Sequence, residues 1–151
     1  MQLLLRHQMA ARCTGEPELA EWRYRLGTAL LACGRAGEAL GELEAATDID
    51  PEHAYGGVQL ALARARLAGG DASRALEALD TFDGNHGASP ESCYRRGQAL
   101  RALGRREEAR GCFRRVTQLA GRAARFQRAQ NRLLLALVQI LQQIDHIANR
   151  P

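Results

Sequence analysis

Small and apolar residues recur along this chain in a helical rhythm broken at regular intervals by Gly and Pro. Between Ala20 and Pro51 they fall at Leu26, Gly27, Ala29, Gly34, Ala39, Leu43 and Ala46. Those offsets predict two antiparallel helices joined by a tight turn. Gly34 ends the first helix, because the left-handed conformation of a helix C-cap is cheapest for Gly. Gly27 and Ala39 are small enough for the two helices to approach closely. Pro51 stops the second helix, since it lacks an N–H and clashes with the preceding turn.

The pattern returns from Pro90 onward in the same register, at Tyr94, Gly97, Ala99, Leu100, Gly104, Ala109, Phe113 and Val116. The two segments also share Glu21 with Glu91, Tyr24 with Tyr94, and Arg25 with Arg95. Between them Ala63, Gly70, Ala75, Leu79 and Phe82 mark a middle unit that departs twice. About two extra residues lie around Ala54–Tyr55, and a loop over Asp83–Ser89 replaces a short connection.

A helix-pair pattern of this kind resembles the tetratricopeptide-repeat family. Leu26, Gly27, Gly34, Ala39, Leu43, Ala46 and Pro51 fall on that family's characteristic positions, and Trp22 lies one place before the position where the family often has Trp. Pro17 falls on a closing-proline position, so residues 2–13 read as the second helix of a preceding half repeat. The resemblance implies an all-α fold, a right-handed α-solenoid of helix hairpins with a long C-terminal capping helix. One domain spans 1–151: a leading helix over 2–13, repeats over 20–51, 54–84 and 90–120, and a capping helix over 122–149. A solenoid needs such caps because each repeat buries its face only on its neighbours.

In the last segment Leu133, Leu137, Ile140, Ile144 and Ile147 alternate by four and three, and Leu134, Val138 and Leu141 widen the stripe to about half the circumference at 100° per residue. That is broader than a solvent-facing cap requires. The 4-3 spacing fits a coiled-coil-like seam with a second copy or a partner helix, while part of the width covers the last repeat.

Composition narrows the function classes. The chain is 46% hydrophobic and 25% charged with only 5% aromatics, ordinary for a folded domain and better suited to helices than to a sheet core. All 21 basic residues are Arg, which GC-rich coding accounts for without invoking function. Cys13, Cys33, Cys93 and Cys112 lack metal-ligand spacing and read as small, partly buried hydrophobes of a reducing compartment. No apolar run reaches membrane-span length and the start lacks a signal-peptide pattern, so the expected compartment is the cytoplasm. His7, His53, His86 and His146 lie in four separate segments, and no nucleophile, zinc or phosphate-loop motif occurs. The reading is therefore not an enzyme, with no cofactor and no metal.

The resemblance implies instead that the first helix of each repeat lines a concave groove. Carried over residue by residue, the groove positions are Tyr24, Arg25, Thr28 and Leu31 in the first repeat, Arg64 and Leu67 in the second, and Tyr94, Arg95, Gln98 and Arg101 in the third. Tyr and Arg are over-represented at binding hot spots. Against that stands packing of the two Tyr between helices, with the Arg residues solvated. The family's clamp for a chaperone C-terminal carboxylate uses Lys and Asn; here Lys is absent, and Thr28 and Gln98 stand at the Asn positions.

Charge is unevenly spread: nine acidic residues against three Arg between Glu16 and Glu52, eleven Arg against three Glu between Glu91 and Arg128. The basic end suits an acidic protein segment; nucleic acid and anionic lipid are disfavoured, since no aromatics interleave with these Arg residues as base-stacking platforms. The expected partner is a protein peptide or helix, with a homodimer through the terminal helix as the alternative.

Overall fold

A computed structural model describes residues 16–122 and 125–148. The leading helix expected over 2–13 lies outside the described residues, as does the side chain of Ile147. Among the described residues every regular element is a helix: α1 (Glu16–Ala32), α2 (Ala36–Ile49), α3 (Gly57–Ala68), α4 (Ala72–His86), α5 (Pro90–Ala102), α6 (Arg106–Arg122) and α7 (Arg125–Ala148). Contacts divide the chain into two compact units at Thr81/Phe82, within α4.

Three turns repeat one geometry. Gly34, Gly70 and Gly104 all have positive φ, near +74°, +83° and +77°. At each, the glycine N–H bonds to a carbonyl three residues back, and the next N–H reaches five back: Arg35 to Leu30 (2.9 Å), Asp71 to Arg66 (2.8 Å), Arg105 to Leu100 (2.8 Å). Carbonyls otherwise orphaned at the helix end are thereby satisfied, and the chain reverses in two residues. The helix after the second turn is capped by Asp71, whose carboxylate accepts from the Arg74 N–H at 3.1 Å.

In the first unit α1 packs on α2, α2 on α3, and α1 touches α3. The core is Leu43, Ala61, Leu62, Ala63, Ala65, Ala75, Ala78 and Leu79. Five of these eight are Ala, which brings helix backbones together and leaves little room for error in packing. The closest approach is at Gly27, where an added Cβ would lie 2.6 Å from Leu43 Cγ.

The expected insertion is present between α2 and α3. Ala54, Tyr55 and Gly56 all adopt positive φ, near +55°, +54° and +74°. Two consecutive L-residues in that region cost on the order of 1–2 kcal/mol each. They are held by Gly56 N–H to Glu52 O (3.1 Å) and Gly57 N–H to Ala54 O (3.0 Å), and Tyr55 projects outward, 91% exposed.

In the second unit α5 packs on α6, α6 on α7, and α5 touches α7. Phe113 and Val116 are fully buried, and an added Cβ at Gly97 would meet Phe113 Cδ1 at 2.8 Å. The Ser89 hydroxyl caps α5 reciprocally with Ser92, at 3.0 and 2.9 Å.

One expectation is corrected. The loop over Asp83–Ser89 is helical through His86, leaving only 87–89 as connection. Gly84 and Asn85 are poor helix formers, but Phe82 is buried beneath the His86 ring, and the Asp83 carboxylate is fixed by Arg96 at 2.9 Å. Tertiary contacts override local propensity there. The terminal helix α7 buries Val138 completely and leaves Leu133, Ile140 and Ile144 exposed. The width expected of its apolar stripe is thus divided between a packed part and an open part, with Arg132, Gln139, Gln142 and Gln143 exposed beside the latter.

Candidate functional site

Helix α1 sets Tyr24, Thr28 and Leu31 on one face through their four-three spacing, and α3 sets Leu60, Arg64 and Leu67 likewise. Tyr24, Leu31, Leu60 and Leu67 are each partly buried against the same core of the first unit. Leu60 joins this face in the structure and is not among the groove positions implied by the resemblance. Its position one turn before Arg64 was the available signal, obscured by the insertion that blurs register just upstream.

The polar members of this surface differ in what they hold. The Thr28 hydroxyl donates to the Arg25 carbonyl at 2.9 Å, within its own helix. Arg25 points into solvent with its guanidinium on Glu21. Arg23, Arg35, Arg66 and Arg74 each lie within 4 Å of a carboxylate. Arg64 is half-buried and pairs with no carboxylate among the described residues. A guanidinium always carries its charge and offers five donors in a planar fork, so it is the open polar group of this face.

Beside this face stands a second polar cluster. His53 Nε2 lies 2.6 Å from Glu21 Oε2, its Nδ1 3.4 Å from Asp50 Oδ2, and its ring meets the edge of Tyr24 with centroids 5.2 Å apart. Burial pushes the Glu21 carboxyl up, but hydrogen bonds from His53 and Arg25 outweigh it and hold that carboxyl below the usual range. The cluster fastens the inserted loop to α1.

In the second unit the expected groove residues form a closed network. Tyr94 is 4% exposed, its ring 6.1 Å from that of Phe113. Gln98 Nε2 donates to the Tyr94 hydroxyl at 3.2 Å, and Arg95 donates to Gln98 Oε1 at 3.2 Å. The Arg95 guanidinium sits 5.4 Å over the Tyr94 ring and 3.5 Å from Glu91. Tyr94 therefore spends its apolar area inside the unit, while Arg95, Gln98 and Arg101 remain half-buried on α5.

The cysteines differ from expectation in one case. Cys93 is buried and Cys112 half-buried, and burial pushes both thiols up; Cys33 is exposed. Among the described residues no three His, Cys, Asp or Glu side chains cluster as a metal site would need, and no helix is long and apolar enough to cross a membrane.

Comparison with known proteins agrees with this geometry. Residues 90–123, which hold α5 and α6, match the family described as Tetratricopeptide repeat. The first TPR domain of the human RPAP3 protein, solved by NMR, superposes with a TM-score of 0.64 at 22% identity, covering 82% of this chain and 97% of that one. A TPR-like protein from Chlorobium tepidum, solved by crystallography, gives 0.63 at 20% identity, covering 84% of this chain and 96% of that one. No curated protein sequence matches the chain significantly.

Proposed function

We propose, on the premise that the chain is a tetratricopeptide-repeat protein, that it holds a peptide or helix of a partner protein against the face built by α1 and α3. Repeats of this family generally mediate protein–protein interaction and are generally non-catalytic.

The observation that carries the reading is Arg64, half-buried on the α3 face it shares by helical spacing with Leu60 and Leu67, and with no carboxylate partner among the described residues. A charge so placed gains most from a carboxylate delivered by a ligand, because the leucines shield the pair from water. Tyr24 and the leucines supply apolar area at low ordering cost, since core packing already holds them. The ligand that fits is an apolar segment with an Asp, a Glu or a terminal carboxylate at its centre. In the second unit Arg95 and Gln98 are tied to each other and to Tyr94, which makes α5 a pre-ordered polar strip suited to a peptide backbone.

Selection from a displayed peptide library tests the proposal. Acidic, leucine-rich peptides should be enriched, and Arg64→Ala should weaken them about tenfold or more with helicity unchanged. Absence of enrichment, or binding indifferent to Arg64→Ala and Leu31→Asp alike, would overturn it.

A further inference from the structure

Helix α7 carries two apolar stripes where the sequence offers one broad one. Val138 is fully buried, with Leu134 and Leu141 half-buried at helical spacing beside it, and this stripe faces the contacts with α5 and α6. The second stripe lies about 100° away around the helix. It consists of Leu133, Leu137, Ile140 and Ile144, of which Leu133 is 69% exposed, Ile140 52% and Ile144 47%. The first stripe is occupied; the second is exposed at Leu133, Ile140 and Ile144 and half-buried at Leu137.

We infer that this second stripe is a seam on which two copies of the chain pair through α7. Three observations select a second copy over another occupant. From Leu133 to Ile144 the sequence has no Asp, Glu, Lys, Arg or His, in a chain one quarter charged. A charged partner segment would find no counter-charge there, whereas an identical stripe brings none to bury. The positions flanking the seam in heptad register, Leu134, Ala136, Leu141 and Gln143, are also uncharged. Like charges at those positions are the usual bar to self-pairing in helical seams, and that bar is missing. Finally, the spacing four, three, four reads the same from either end, so the stripe matches its own copy whichever way the helices run.

The area decides how tight the pairing is. A fully exposed Leu or Ile contributes on the order of 100 Å² of apolar surface. The seam therefore offers roughly 170 Å² from its three most exposed residues, against about 800 Å² per partner in a standard stable interface. The dimer is accordingly weak and concentration-dependent, with the folded monomer as its reference state.

Sedimentation equilibrium of the whole chain from about 1 µM to about 1 mM, the range where so small an interface dissociates, tests this. The average mass should rise toward twice the monomer with concentration. Leu133→Asp with Ile140→Asp should hold it at the monomer while circular dichroism stays unchanged. Should that pair of charges melt α7, the milder Ile140→Gln should still shift the midpoint about tenfold to higher concentration. A monomer at every concentration overturns the inference, and so does an assembly that both variants leave intact. The seam shares no residue with the surface around Arg64, so either proposal can fail while the other stands.

Discussion

The pairs α1–α2 and α5–α6 are two executions of one plan at a constant sequence offset. In both, Glu and Arg pair one turn apart on the first helix, Glu21 with Arg25 and Glu91 with Arg95. In both, Arg binds Glu at the start of the second helix, Arg35 to Glu38 and Arg105 to Glu108, each at 2.6 Å. A glycine meets a large side chain where the helices cross: Gly27 against Leu43, Gly97 against Phe113. One difference between the pairs lies at that large side chain. Phe113 draws Tyr94 into the core as its ring neighbour, whereas Leu43 leaves Tyr24 half-buried and able to turn toward His53. The equivalent tyrosines thus have different ring neighbours, Phe113 in the core for Tyr94 and His53 of the inserted loop for Tyr24.

The comparison breaks most visibly at the crossing glycines. Gly97→Ala should destabilise the second unit by about 3 kcal/mol, because a rigid ring cannot bend away, and Gly27→Ala the first by about 1 kcal/mol, since Leu43 can change rotamer. Urea unfolding by circular dichroism checks the sum, and the fluorescence of Trp22, the only tryptophan, follows the first pair separately. Equal costs would mean that ring and branched chain yield alike.

Sharpening comes from the reciprocal exchange. Phe113→Leu should recover about 1–2 kcal/mol in the Gly97→Ala background, measured as coupling in a double-mutant cycle, and should release Tyr94 to solvent. Independence of the two substitutions would detach the glycine from the ring.

A smaller effect separates the two Glu–Arg pairs. Glu21 is held ionised by His53 and Arg25, below the ordinary carboxylate value, so it stabilises the fold fully above the unfolded-state value near pH 4. That contribution disappears as pH falls through the lowered folded-state value. Glu21→Gln should flatten the acid limb of the stability curve by less than about 1 kcal/mol, given its partial exposure. Glu91 pairs with Arg95 at 3.5 Å, and the His53 ring beside Glu21 is where the two pairs differ.

The smallest expected change is at the turn pairs. Arg35→Ala and Arg105→Ala remove exposed ion pairs and should move the urea midpoint barely and alike, with the shift vanishing in high salt.

Much of this architecture is legible in the sequence, for definite reasons. Gly34, Gly70 and Gly104 announce their turns because a left-handed residue is needed there. Gly27 and Gly97 announce the crossings because no side chain fits. The misreadings arise where long-range contacts decide. Gly84 and Asn85 suggest a loop until Asp83 is seen to be fixed by Arg96, thirteen residues on. Tyr94 carries the same local signal as Tyr24, and their different ring neighbours, Phe113 and His53, come from distant parts of the chain. The stripe on α7 can be measured for width from sequence, but its division into a packed and an open half depends on what α5 and α6 present. On α3 the repeat register points to Arg64 and Leu67, and the insertion just upstream obscures Leu60.

The left-handed step at Ala54–Tyr55–Gly56 bears on how this chain could be multiplied. Gly34 and Gly70 stand two residues further apart than Gly70 and Gly104, so the stretch between the first pair is an ornamented version of the stretch between the second. A synthetic array built by iterating the shorter stretch would repeat without carrying two strained residues at every joint. Iterating the longer one would add an outward tyrosine at each step, an evenly spaced row of handles for chemical coupling along a scaffold.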